Sequence, residues 1–352
     1  MPYSKRPGTI IISLPRELKI AQKFESRTIQ TPSSIAAHGW YYRNPRHTDR
    51  RCLMCKILEL FVLWQLVFLF GCGGGQAALF KVEQSADETR PKNIIVERTA
   101  YTDLNLLSNV VGVEGNLQIA DNELLTSLNG LNKITSIYGD LAISGNNALL
   151  DLTGLSGLAT LGQDLKISRN ELLKHIAGLN TLESVGRDVL ITSNENIGNM
   201  KGLGSLTTID RDLEISGNSG IVNFEGLNNL TSVGRNLTIS RNERLTSFEG
   251  LNSLKSVGRN LEISDNEGLK SLDGLNSINK VDGSLIIRNN AALKNLDGLS
   301  NLKSIKGVFR IERNRSLPTC SAESLREELV GYTEVRICGN MEDSCGVQPC
   351  QP

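Results

Sequence analysis

Stepping through the sequence from Ile119 in intervals of 24 residues meets isoleucine nine times, ending at Ile311. Three residues later the same step meets asparagine nine times: Asn122, Asn146, Asn170, Asn194, Asn218, Asn242, Asn266, Asn290 and Asn314. Eight residues further on stand Gly130, Gly154, Gly178, Gly202, Gly226, Gly250, Gly274 and Gly298, each followed by leucine. No insertion or deletion shifts the register across the nine units. Such a chain is built from equivalent stacked turns, not from unlike elements around one globular core.

One unit reads L-x-I-x-x-N-x-x-L-x-x-L-x-G-L-x-x-L-x-x-V, as from Leu261 to Val281. The L-x-I alternation is a short strand with both apolar residues on one face. The later apolar residues recur every three, which suits bends and extended turns and not a helix of period 3.6. Leu261, Ile263, Leu269, Leu272, Leu275, Ile278 and Val281 are the inward apolar positions, and Asn266 is the inward polar one. One unit cannot bury enough surface to offset the ordering of its backbone, so the units fold only when stacked. At about 4.8 Å per coil, nine coils span about 40 Å. Parallel strands joined by crossovers make the coil right-handed. The expected fold is therefore mainly β, a right-handed parallel β-solenoid of 24-residue coils.

The repeated Asn and Gly have backbone roles. An inward Asn can bond the turn amides and carbonyls of its own and adjacent coils, forming a structural asparagine ladder. The Gly at the opposite corner serves either a positive φ or a close contact between coils. Outward from the first unit the pattern still matches Ile95, Leu104, Leu107, Val110 and Val113, but position 98 is Arg. Asn93–Glu114 is expected to be an irregular coil covering the first open edge.

The 352 residues carry no net charge, yet residues 1–53 hold ten Lys/Arg against Glu17, Glu25 and Asp49. The rest is accordingly acidic, and the balance offers no nucleic-acid footprint. Ile57–Phe70 is a 14-residue run broken only by Glu59 and Gln65, short for a membrane span and suited to a signal-peptide core. It ends in Leu69-Phe70-Gly71-Cys72, which resembles the lipobox of bacterial lipoproteins, although Phe70 departs from the small or β-branched residue usual there. That resemblance implies an exported chain lipidated at Cys72 and held at the outer membrane or cell surface. The Cys52–Cys55 pair has no second pair nearby for a metal site and no redox setting, and is taken as chance. The expected layout is a basic, disordered or non-mature extension at 1–53 and a signal peptide at 54–72. A linker at 73–92, the solenoid at 93–317 and a Cys-rich cap at 318–352 follow.

The phrase Leu254-Lys-Ser-Val257-Gly258-Arg-Asn-Leu261-Glu-Ile263-Ser-Asp-Asn266, echoed in most units, resembles the leucine-rich repeat family in its receptor L-domain variant. The resemblance covers residues 93–317 and implies a ligand-binding scaffold with its sites on variable outward positions. The tail from Leu317 looks like the closing element of bacterial members. Ser321–Val330 reads as an amphipathic helix with Leu325, Leu329 and Val330 inward and Gly331 as its stop, and Glu334–Cys338 as a last strand. Cys320, Cys338, Cys345 and Cys350 admit three disulfide pairings, of which Cys320–Cys345 with Cys338–Cys350 is favoured; four-thiolate zinc is the rival.

Function must sit on outward side chains. Arg187, Arg211, Arg235 and Arg259 would form a basic ridge on adjacent coils, the candidate partner-docking feature. Asp164, Asp188, Asp212, Asn236 and Asn260 stand beside them and can neutralise part of it. Glu123, Glu171, Glu195, Glu243 and Glu267 form an acidic line past the Asn corner, and charges of this kind also serve solubility. Beside the strand runs a mixed stripe that includes Lys166, Leu190, Glu214, Thr238 and Glu262; the next stripe, from Ser144 to Ser264, is nearly all hydroxyl. No catalytic, nucleotide or metal motif is present, and the acids are dispersed. The expectation is a non-enzymatic recognition or adhesion protein without cofactor or metal, with a protein or surface glycan as partner. The alternative is a passive envelope or stalk component.

Overall fold

The computed structural model describes residues 68–70, 78–345 and 350. The extension 1–53, Cys52, Cys55, Cys72 and the leader apart from Phe68–Phe70 lie outside the described residues. The 24-residue coils stack as expected. Four-residue strands such as Leu213–Ser216, Leu237–Ser240 and Leu261–Ser264 pair in parallel with Leu213 opposite Leu237 and Ile215 opposite Ile239. They belong to a 13-stranded sheet. On a second side of the coil, two-residue strands such as Ser232–Val233 and Ser256–Val257 form a nine-stranded parallel sheet. The seven inward positions from Leu261 to Val281 are all fully buried. The core is thus a column of aliphatic rows, widened at Phe224 and Phe248, whose rings stand 5.3 Å apart.

The asparagine ladder is continuous. In every rung the backbone N–H of one Asn donates to Oδ1 of the next, as from Asn194 to Asn218 (2.9 Å) and Asn218 to Asn242 (3.0 Å). Its Nδ2 donates back to a strand carbonyl of the preceding coil, Asn218 to Ile191 O at 2.7 Å. Two further members were not visible in the 24-residue step. Thr99 supplies the first, with its N–H and Oγ1 donating to Asn122 Oδ1 at 2.9 and 2.7 Å. Asn340 supplies the last, accepting from Asn314 N–H at 3.0 Å across 26 residues. Arg98, where the pattern broke, takes a positive φ of 52°, and the ladder role passes to its neighbour.

That left-handed corner recurs. The residue before each ladder Asn has positive φ, from Asp121 (54°) through Gly217 (65°) and Arg241 (55°) to Arg313 (53°). The repeated Gly answers both readings in part. Gly226 has φ 113°, whereas Gly154 lies in the 3₁₀ turn Thr153–Leu155 without a positive φ. Close approach is common to both: an added Cβ would meet a carbonyl of the preceding coil at 2.1 Å in each.

Both ends are covered. Segment 73–92, expected as a linker, carries the strand Ala78–Glu83, which pairs antiparallel with Asn93–Glu97; Phe68–Phe70 pairs antiparallel with Ala78–Phe80. At the other end Glu334–Cys338 adds in parallel to Val308–Glu312, as the tail predicted. Helix α1 spans Thr319–Glu328 with Leu325 buried, so it starts and stops two residues earlier than expected. Leu329 just beyond it is extended and buried, but Val330 is 65% exposed, which corrects its expected inward placement. Val330 has left the helix to act as one more rung of the short-strand sheet: its N–H donates to Lys303 O, and its carbonyl accepts from Ile305 N–H. Gly331 follows with φ 91°. The disulfides are Cys320–Cys345 and Cys338–Cys350, the favoured pairing, so the four sulfurs are not thiolate ligands. Among the described residues no helix is long and apolar enough to cross a membrane.

Candidate binding surface

The corner just before the long-sheet strand carries a second ladder, which the sequence did not reveal as one. Asn116, Asp140, Asp164, Asp188, Asp212, Asn236, Asn260 and Ser284 stand 24 residues apart, and each side-chain oxygen accepts the backbone N–H of its counterpart in the next coil. Ser284 Oγ closes the series by accepting from Val308 N–H. Any short side chain with an oxygen acceptor serves, so residue type drifts while geometry holds.

Four successive carboxylates on adjacent coils repel, and cations answer them. Lys166 Nζ lies 2.8 Å from Asp164 and 3.5 Å from Asp140. Burial pushes the Asp164 carboxyl up, but the Lys166 hydrogen bond, the Asp188 amide and the Arg187 charge together hold it below its ordinary value. Burial likewise pulls Lys166 down, and Asp164 and Asp140 more than reverse this, leaving it raised.

The four arginines lie on adjacent coils, linked by Arg211 N–H to Arg187 O, Arg235 N–H to Arg211 O, and Arg259 N–H to Arg235 O. They are not electrostatically equivalent. Arg187 Nε sits 3.6 Å from Asp164 Oδ1, and its guanidinium donates to Gln163 Oε1 at 3.0 Å. Arg211 Nε sits 3.6 Å from Asp188 Oδ1. Arg235 Nε is shielded from solvent with no hydrogen-bond partner. Arg259 is exposed and makes no ion pair among the described residues. The uniform ridge read from sequence is thus two ion-paired arginines followed by two that make no ion pair among the described residues.

Beside this flank a groove of about 360 Å³ opens on the long sheet, lined by Leu190, Asp212, Glu214, Asn236, Thr238, Asn260 and Glu262. Glu214 accepts from Ser216 Oγ at 2.6 Å; Glu262 accepts from Ser264 Oγ at 3.2 Å and pairs with Arg288 at 3.0 Å. The hydroxyl stripe therefore holds these acids in place. The acidic line Glu123, Glu171, Glu195, Glu243 and Glu267 is exposed throughout. A second depression of about 430 Å³ lies on the short-strand sheet beside Tyr138, whose ring carries the Arg90 guanidinium 5.6 Å from its centroid.

Coils of fixed length, a buried asparagine ladder and variable outward residues define a parallel β-solenoid similar to those of the receptor L domain and other leucine-rich repeats. Residues 255–335 match the family model described as Receptor L domain. No curated protein matches the chain. Among solved structures, the crystal structure of a TLR13–ssRNA13 complex aligns at 16% identity and a TM-score of 0.19. The alignment covers 72% of this chain and 54% of that one, so the chain spans about half that length. Solenoids of this type supply ligand binding and protein interaction.

Proposed function

We propose that the chain is an exported, non-enzymatic recognition module, lipid-anchored through Cys72. In this reading it docks a protein or a surface glycan at the Arg235 and Arg259 end of the arginine flank and on the adjoining groove. The observation that carries this reading is the pair Arg235 and Arg259, which make no ion pair among the described residues and adjoin a groove, whereas Arg187 and Arg211 on the same flank are paired. Glu214, Glu262 and the exposed glutamate line argue against nucleic acid as the partner. The passive-scaffold alternative draws on Arg187 and Arg211, whose salt bridges give them a structural role.

The reading predicts saturable binding of the Cys72→Ala form to intact envelopes, weakened when all four arginines become glutamine. Binding that does not saturate, or that ignores the fourfold substitution, would instead support the passive scaffold. Lipid analysis of the mature chain tests the anchor, since an intact residue 1 contradicts it.

A further inference from the structure

Resting on the recognition reading, we propose that Arg235, Arg259 and the neighbouring groove form a site for a carboxylated sugar. The argument starts from the acceptor ladder. Arg187 and Arg211 each meet the ladder carboxylate 23 residues earlier, Asp164 and Asp188. The corresponding partner of Arg235 is Asp212, but Oδ1 of that carboxylate accepts both the N–H and the Nδ2 of Asn236, each at 2.9 Å. The corresponding partner of Arg259 is Asn236, which is neutral. Where asparagine replaces aspartate in the ladder, two consecutive guanidiniums therefore make no ion pair among the described residues, and the Arg235 Nε is shielded and unsatisfied. A planar carboxylate bridging the two would supply charge-assisted bonds to both.

The groove determines what accompanies that carboxylate. Asn236 and Asn260 follow the two arginines in the chain and line the groove together with Asp212, Glu214, Thr238 and Glu262. Its volume of about 360 Å³ suits a small ligand. Three carboxylates in the lining call for hydrogen-bond donors, which sugar hydroxyls provide. An acidic peptide would bring further side-chain carboxylates against them, and a polysulfated or polyphosphate chain would bring excess negative charge. A neutral sugar would leave the two arginines unanswered. The chemistry that meets both halves of the site is a uronic-type unit, carboxylate towards the arginines and hydroxyls towards the acids.

Calorimetric titration of the full chain with digalacturonate tests this, with galactobiose as the neutral counterpart and inorganic sulfate as a bare anion. Digalacturonate should bind saturably, and Arg235→Gln with Arg259→Gln should weaken it about tenfold or more. Arg187→Gln with Arg211→Gln should leave affinity within about twofold while lowering the melting temperature. Asn236→Asp with Asn260→Asp should also weaken binding, since it restores the ladder carboxylates without removing an arginine. Equal binding of galactobiose, sulfate binding as tight as that of digalacturonate, equal loss in both arginine pairs, or no uptake of digalacturonate overturns the site. If digalacturonate fails while binding to envelopes still saturates, the sugar assignment falls and the recognition module stands; loss of both removes both.

Discussion

Asn218 is fully buried and satisfies groups in its own coil and in the coil before it. It accepts from the Asn194 backbone and donates to the carbonyls of Ile191 and Ser216. Asn218→Ala removes all of these at once and leaves buried groups unpaired, so a loss of about 3–5 kcal/mol is expected in urea unfolding. Asn218→Asp should also destabilise, because it keeps the acceptor but discards both donations. The Ile and Asn rows were legible because those two inward positions hold a single side-chain type in all nine coils. The left-handed corner was not, because its constraint falls on φ, and Asp121, Gly217, Arg241 and Arg313 meet it with unlike side chains. The acceptor ladder escaped for a related reason: Asp212, Asn236 and Ser284 share only a short oxygen.

At the level of elements, the C-terminal cap is held by bonds that do not depend on stacking. Cys320–Cys345 closes 25 residues and Cys338–Cys350 closes 12. Chain-entropy arguments give about 3.5 and about 3 kcal/mol respectively, so serine replacement of the Cys320–Cys345 pair should cost more in chemical unfolding. The cap was readable in its strand and cysteines but not at Val330, because a valine that adds a backbone rung cannot be told from one that completes a helix face.

On the acceptor ladder, the Lys166–Asp164 pair gives stability a pH dependence. Asp164 is held low in the folded state, so its contribution is complete above about pH 4 and is lost as pH falls through the lower folded value. Lys166 is held high, so its contribution is complete below about pH 10 and is lost as pH rises through the folded value. Lys166 is partly exposed, and solvent screening limits Lys166→Gln to about 1 kcal/mol at neutral pH. The difference from the unmodified chain should disappear in acid once Asp164 is protonated, which thermal melts across pH can follow.

Over the whole stack of coils, the shared length of 24 residues makes each coil replaceable by the next. Removing Gly145–Ser168 joins Ser144 to Arg169, puts Asn170 in place of Asn146 beneath Asn122, and keeps all four flank arginines, with Asp140 taking the ladder place of Asp164 beside Arg187. This deletion should fold cooperatively with an m-value lower by about one tenth, whereas deleting residues 145–156 alone should not fold. The architecture was readable from sequence because identical demands recur at every coil. The proposed binding surface was legible in its arginines but not in their unequal pairing, which follows from a local lapse in the repetition, Asn236 where Asp212 and Asp188 precede it.

A uniform coil length also bears on inheritance. Neighbouring units such as Leu230–Asn242 and Leu254–Asn266 are nearly the same in sequence, so their coding segments can misalign during recombination. Each such event adds or removes a complete coil, and the product keeps both covered ends and every ladder contact between them. The gene can therefore change length in steps that the fold tolerates, and a new surface can emerge from a duplicated coil while its parent coil keeps the old one.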